Sequence, residues 1–429
     1  MSEKGLTKGA GSKPFIGWIM IVAALLSGWF IYLYTGFNFL MLSGLLLALV
    51  LSVVFYKHYG KEHHTAARVA LGLLFIFSGF VKGVDPVGTQ YRIQDYFIAY
   101  GAEWAIPLSL YLSVFLNLIE FTLGILLLFN VWKRTVSWLV LVMMAVFTLT
   151  TLNDALYNPV PDCGCFGDAI VLSNWQTLYK NLAIGILVVV LVSSGNRERR
   201  SPGRTASWVV FIAGVVLFTG FQVYNIRHLP VVDFRNWKTG NNMLVENPLP
   251  RKYFLTYRNT ETGEIREYLS PNYPYDDSVW VQKWEFVSQR VVDPNPRKHD
   301  LSIMDEEGTD LTDGILHNPG YQIMIISYDL SHIKTRTADK IRDLLHSCDS
   351  AGITAFFLTS ALPEDVERFM ESKNIGAEFY YADDTVLQAM VRSNPGFILM
   401  KDGVVVNKWH FNDMPDFKTL NGKYFTNSE

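Results

Sequence analysis

The stretch "NPVPDCGCFGDA" (158–169) holds Cys163 and Cys165, two of only three cysteines in 429 residues. Cysteines one residue apart offer three kinds of chemistry: they can exchange a disulfide, share a metal, or lock a turn. A bridge needs Cα atoms within about 7 Å and a defined torsion at the sulfurs. An extended Cys-x-Cys segment sits near that limit, and Gly164 supplies the freedom to bend it into reach. Such a small ring should be strained, and strained disulfides exchange readily. A bridge serving stability alone would close a long loop, where the entropic gain is larger. The spacing therefore favours redox exchange. A four-coordinate metal site needs further ligands. Among the loops on this side only His228 offers an imidazole, so we assign no metal. A structural turn lock remains the plain alternative.

Three ionisable residues lie within apolar runs close to the pair: Lys180, Lys82 and Glu120. A cation lowers a thiol's pKa and so favours the attacking thiolate. Lys180 and Lys82 are suited to that role, with Asp154, Asp162, Asp168 and Asp85 as expected partners. Snorkelling of both lysines to the headgroups is the competing reading. Glu120 sits in "FLNLIEFTLG", three residues after Asn117. A carboxylate at that depth must face the interior, be protonated, or pair. A proton relay and a simple helix–helix hydrogen bond both satisfy that demand. The candidate catalytic set is Cys163, Cys165, Lys180, Lys82 and Glu120.

These residues must be positioned by membrane helices. Half of the chain is apolar and 18% is charged, with the apolar residues concentrated before about residue 225. A span needs about 20 apolar residues. We read seven spans, near 15–34, 37–56, 69–84, 106–129, 136–157, 178–194 and 208–224. The basic, polar start "MSEKGLTKGAGSKP" has no cleavable-signal pattern. The link "TGFN" predicts a tight hairpin between the first two spans. Lys4, Lys8 and Lys13, then Lys57, Lys61 and Arg68, then Lys133 and Arg134, then Arg197, Arg199, Arg200 and Arg204 fall in alternate loops. The positive-inside rule makes those loops cytoplasmic. The N-terminus is then cytoplasmic. The cysteine loop and everything after about residue 226 face outward, toward a bacterial periplasm where thiols are oxidised. The net charge of −3 gives no reason to expect nucleic acid as a partner.

Residues 226–314 read as a β-rich linker region. "KYFLTYRNTETGEIREYLSP" has the form of a hairpin, and "SVWVQKWEFVSQRVV" that of a strand. From residue 315, strand and helix patterns alternate. "YQIMIISY" is a buried strand. "TRTADKIRDLLHSCDSAG" is an amphipathic helix with Ala338, Ile341, Leu345 and Cys348 on one face. "TAFFLTS" is a strand, "PEDVERFMESKN" a helix opened by Pro363 and two acids, and "NPGFILMKDGVVVNKW" a hairpin. This order resembles the thioredoxin fold, which implies a cis-proline at Pro395. The thioredoxin Cys-x-x-Cys is missing, because its place reads "ISYDLSHI". Cys348 is expected to be a buried core thiol.

"RVALGLLFIFSGFVKGVDPVG", "LIEFTLGILLLF" and "DCGCFGDAIVLSNWQTLYKN" together resemble the DoxX/MauE group over residues 68–194. The resemblance implies a four-helix, inner-membrane core. MauE's link to maturing a disulfide-rich periplasmic dehydrogenase implies disulfide handling. The chain departs from that group by two extra N-terminal spans and a thioredoxin-like domain that lacks the Cys-x-x-Cys motif. The expected layout is an N-terminal hairpin (1–67), a DoxX/MauE-like membrane domain (68–225), the β-rich region (226–314) and a thioredoxin-like α/β domain (315–429). The expected activity is thiol–disulfide exchange with a periplasmic client, with a quinone or a second membrane protein as electron partner. A non-catalytic membrane scaffold whose outer domain binds a protein or envelope component is the alternative.

Overall fold

The computed structural model describes residues 14–31, 33, 35–193, 202–245, 249–250, 252–292, 294 and 299–426. Of the basic residues used for orientation, Lys4, Lys8, Lys13, Arg197, Arg199 and Arg200 lie outside these. The chain divides into two compact units, Met1–Phe234 and Arg235–Glu429.

The first unit is helical: α1 (Pro14–Ile31), α2 (Phe39–Val54), α3 (Lys61–Val84), α4 (Pro86–Ala99), α5 (Ser109–Leu128), α6 (Lys133–Tyr157), α7 (Asn174–Val192) and α8 (Arg204–Arg227). Among the described residues five helical stretches are long and apolar enough to cross a membrane: Lys61–Val84, Glu103–Leu128, Lys133–Tyr157, Asn174–Val192 and Arg204–Arg227. Gly17–Ser27 and Phe39–Val54 are apolar but shorter. Among the described residues, five of the seven expected spans are thus matched by full-length candidates, and the first two by the apolar helices α1 and α2, of 18 and 16 residues. The expected third span was too short by a third: α3 begins at Lys61, with His63, His64 and Arg68 inside the helix. Arg68 is accommodated because its guanidinium donates to the carbonyls of Leu127 and Leu128, at the last turn of α5, where carbonyls lack helical partners.

Hydrogen bonds fix how the helices alternate. Asn225 Nδ2 donates to Gly83 O at 3.1 Å, so the end of α8 meets the end of α3. Gln176 Nε2 donates to Ile31 O at 3.4 Å, and Asn38 N to the Tyr179 hydroxyl at 2.7 Å. The ends of α1, α3, α6 and α8 and the starts of α2, α5 and α7 therefore share one end of the bundle. Lys57, Lys61, Arg68, Lys133, Arg134 and Arg204 are at the other. The first two helices are less a hairpin than two flanks of α7, since each packs on it. α7 is the central helix, with 72% of its apolar window buried against 22% for α8.

α3 and α5 run antiparallel in close contact. A Cβ on Gly79 would lie 2.7 Å from Phe121 N, and one on Gly124 would lie 2.6 Å from Ile76 N. Glycine is required at both places because backbone meets backbone, the usual device of tight membrane helix pairs.

The second unit carries two sheets. β1 (Lys252–Asn259), β2 (Ile265–Leu269) and β3 (Trp284–Val292) form an antiparallel sheet in the order β2-β1-β3. The expected continuous strand around "SVWVQKWEF" is split. Asp277 accepts from the backbones of Val279 and Trp280 and starts a short helix, α9 (Ser278–Lys283), before β3. After α10 (Thr312–Leu316) come β4 (Tyr321–Ser327), α11 (Thr335–Ser350), β5 (Thr354–Thr359), α12 (Pro363–Lys373), β6 (Glu378–Tyr381), α13 (Asp384–Met390), β7 (Gly396–Lys401), β8 (Val404–His410) and α14 (Phe417–Leu420). The mixed sheet has the order β6-β5-β4-β7-β8, with β4, β5 and β6 parallel and β7 and β8 antiparallel. On α11 the buried stripe is Ala338, Ile341, Leu344 and Cys348, with Leu344 in the place expected of Leu345.

Substituting Gly79→Ala should lower the stability of the solubilised full chain by about 1–3 kcal/mol, the usual cost of overpacking. Gly44→Ala, on α2 with open space around it, should be neutral or slightly stabilising because alanine favours helix. Thermal unfolding in detergent measures both.

Candidate functional site

The site is assembled where four helix ends meet. The structure pairs Cys163 and Cys165 as a disulfide, with Cα atoms 5.6 Å apart. Gly164 between them has φ +60°, in the left-handed region that glycine occupies without penalty. Asp162 holds the turn from below, accepting from Gly164 N at 2.9 Å. Both cysteines are partly exposed.

The loop does not stand off the bundle; it dips into it. The Cys165 carbonyl accepts from Ser78 Oγ at 3.0 Å. Ser78 lies six residues before the end of α3, about 9 Å along the axis at the helical rise. The Phe166 ring sits 5.7 Å from that of Phe77, and the Lys180 ammonium lies 4.6 Å over its centroid, a cation–π arrangement. α4 covers the loop from outside. Arg92 Nη2 pairs with Asp162 at 2.8 Å, and its stem lies so close that a Cβ at Gly164 would be 2.9 Å from Arg92 Cγ.

Beneath the loop is a buried ion pair. Lys82 Nζ donates to Glu120 Oε1 at 2.7 Å, with side-chain exposures of 6% and 3%. Ser78 Oγ also lies 3.0 Å from Glu120 Oε2. Asn117 Nδ2 donates to Lys82 O at 3.2 Å. Removing one member of such a pair leaves an uncompensated buried charge, at a cost of about 3–5 kcal/mol.

The candidate residues therefore separate into two layers. Cys163 and Cys165 occupy the accessible layer, with Lys180 touching the residue that follows them. Lys82 and Glu120 form the layer below, joined to the loop through Ser78. Lys82 does not snorkel, and its partner is Glu120 rather than any of the expected aspartates. Asp162 takes Arg92. Asp85 accepts from Gly88 N at 2.8 Å as the cap of α4. Asp154 accepts from the Tyr96 hydroxyl at 2.6 Å.

Sequence reasoning missed Ser78, Arg92 and Tyr96. Ser78 is one turn before Lys82 on the same helix face, so the lysine's own position pointed to it. Arg92 and Tyr96 belong to α4, too polar to read as a span and too short to be flagged as a domain. Burial holds Asp95, also on α4, above the ordinary carboxylate range, opposed by the neighbouring Arg92. Burial and the adjacent Asp154 raise Tyr96, which keeps its phenol protonated as a donor.

Among the described residues no group of three or more histidines, cysteines or acids stands together as a metal site. In the second unit Cys348 is buried and free, and burial pushes its thiol up to about 12. At the end of β4, where a dithiol was sought, the half-buried Asp329 accepts from the Ser331 hydroxyl at 2.6 Å and pairs with His332 at 2.5 Å.

Residues 61–194 match the family model described as Methylamine utilisation protein MauE. That segment runs from the first residue of α3 to just beyond α7 and includes the cysteine loop and the buried pair. No curated protein and no solved structure matches the chain. The first unit is a multi-pass membrane bundle that contains the segment similar to MauE.

Maleimide should label none of the cysteines in the native, unreduced full chain, two after mild reduction, and the third only on denaturation. Because the Cys348 thiol stays protonated well above neutrality, it should remain unlabelled up to about pH 9. Intact-mass measurement counts the adducts.

Proposed function

We propose that the Cys163–Cys165 pair exchanges a disulfide with a protein client outside the cytoplasm. A client thiolate attacks one sulfur, forming a mixed disulfide and releasing the other cysteine as thiolate. The client's second thiol then resolves the mixed disulfide. Two electrons and two protons pass from the client dithiol to the pair, and the client leaves oxidised. The reverse sequence reduces a client. For repeated oxidation, a membrane quinone or a second membrane disulfide protein takes the two electrons. Lys180 and Arg92 are the cations nearest the loop and favour the thiolate formed on opening.

The observation that carries this reading is that the bonded pair is partly exposed, at the bundle end opposite the lysine- and arginine-rich turns. By the positive-inside rule that end is extracytoplasmic, and α8 delivers the chain to the same end. The MauE match supports the reading as a family likeness only.

We read the second unit as a thioredoxin-like domain on the periplasmic side of an inner membrane. Its support is the β5-β4-β7-β8 strand order within the mixed sheet and the cis Asn394–Pro395 peptide just before β7. With Asp329, Ser331 and His332 at the end of β4 in place of a dithiol, its part is to present or bind the client. That same feature favours a second reading, in which the whole protein is a scaffold and the cysteines only fix the loop.

Cells expressing Cys163→Ser or Cys165→Ser separately, quenched with acid and alkylated, should yield a reducible high-mass adduct from at least one variant. The double variant should give none. Exchange is falsified if neither single variant forms an adduct and both retain the native phenotype, and the scaffold reading then stands.

A further inference from the structure

α8 is the least buried of the five candidate spans. Two stacked aromatic pairs help to seat it. Phe218 lies 3.9 Å from Phe121 of α5, and Phe221 lies 5.4 Å from Phe80 of α3, between ring centroids. Nearer the basic end of the bundle α8 carries Ala213 and Gly214, whose side chains are too small to fill the space against α5. An apolar groove of about 450 Å³ is left, running from Val209 to Phe221 along α8 and bounded by Ile125 and Phe129 of α5. At the helical rise that stretch is about 18 Å long. One leaflet is of similar depth, about half of a 30 Å hydrocarbon core. None of the residues lining the groove has a polar side chain. It suits an acyl chain and offers no donor to the carbonyls of a quinone.

The basic end of the groove opens beside two tryptophans and a set of cations. Trp132, just before α6, meets Trp208 of α8 edge-on at 4.9 Å. Tryptophan is the residue type that sits at headgroup level. Lys133 and Arg134 open α6, and Arg204 opens α8 one turn before Trp208. Arg134 and Arg204 are exposed, and among the described residues neither is held in an ion pair. We propose that the groove holds one anionic phospholipid, with an acyl chain along α8 and the phosphate at Lys133, Arg134 and Arg204. Cations at the mouth select an anionic headgroup over a zwitterionic one, which an unselective lipid-facing surface does not do. The site lies at the end of the bundle opposite the disulfide and is independent of the exchange reading.

The test is native mass spectrometry of the solubilised, delipidated full chain, titrated with palmitoyl-oleoyl phosphatidylglycerol or phosphatidylcholine. The two lipids share their chains and differ in headgroup charge. Phosphatidylglycerol should add as a single adduct at a concentration roughly 25-fold below that for phosphatidylcholine, about five-fold for each arginine. Arg204→Gln should lose roughly five-fold of that preference, and Arg134→Gln/Arg204→Gln most of it. A Cβ on Gly214 would lie 3.6 Å from Ile125 Cδ1, an ordinary contact, so Gly214→Leu fills the groove and should weaken both lipids alike. Ala213→Phe, lining the same groove, replaces it if the leucine variant fails to fold. Lys57→Gln, at the same end but packed on α1 and α2, should bind as the native chain does. Equal binding of the two lipids overturns the proposal. So does a groove-filled variant that binds normally, or a loss in Lys57→Gln that matches Arg204→Gln.

Discussion

The Lys82–Glu120 contact is the constraint on which the membrane unit turns. Either charge alone would be strongly disfavoured at that depth. Once paired, neither helix can rotate or slide without separating them, so α3 and α5 are fixed in register. Glycines at the crossing allow the close approach that the pair requires. Ser78 then points where the loop can reach it, and Asn117 ties its helix to the Lys82 carbonyl. The position of the cysteines is thus set from below, by helices, rather than by the loop's own sequence. This agrees with the loop's composition, which has few large side chains apart from Phe166 to anchor it.

Much of the outline was legible from residue types. Apolar runs located the helices, and the rarity of cysteine drew attention to the loop that carries the disulfide. Lys82 and Glu120 each stood out as charges in apolar surroundings. What could not be read was that they belong to each other, since sequence fixes neighbours along one helix but not the register between two. The same limit hid the depth of the loop and the contact of Arg92 with Gly164. Helix starts were misplaced where polar residues had hidden partners. Arg68 looked like loop until the open carbonyls at the end of α5 accounted for it.

The second unit was legible in its alternation of strand and helix and less so where caps intervene. Asp277 begins a helix inside what alternation alone predicts as strand. The strand order follows from the buried, near-continuous apolar run of β4, which takes the central place that such runs require. The residues at its end are polar and at least partly exposed, and offer hydrogen-bond donors and acceptors in place of sulfur. The two units therefore differ: the partly exposed disulfide belongs to the first, and the polar side chains at the end of β4 to the second.

The location of the third thiol has a consequence for how the chain matures. Cys348 is held on the inner stripe of α11, while its two potential mates are near neighbours of each other. Joining either of them to Cys348 would close a long stretch of chain, whose entropic cost rises with length. Oxidation of the folded chain therefore leads to a single pairing, because Cys348 is buried.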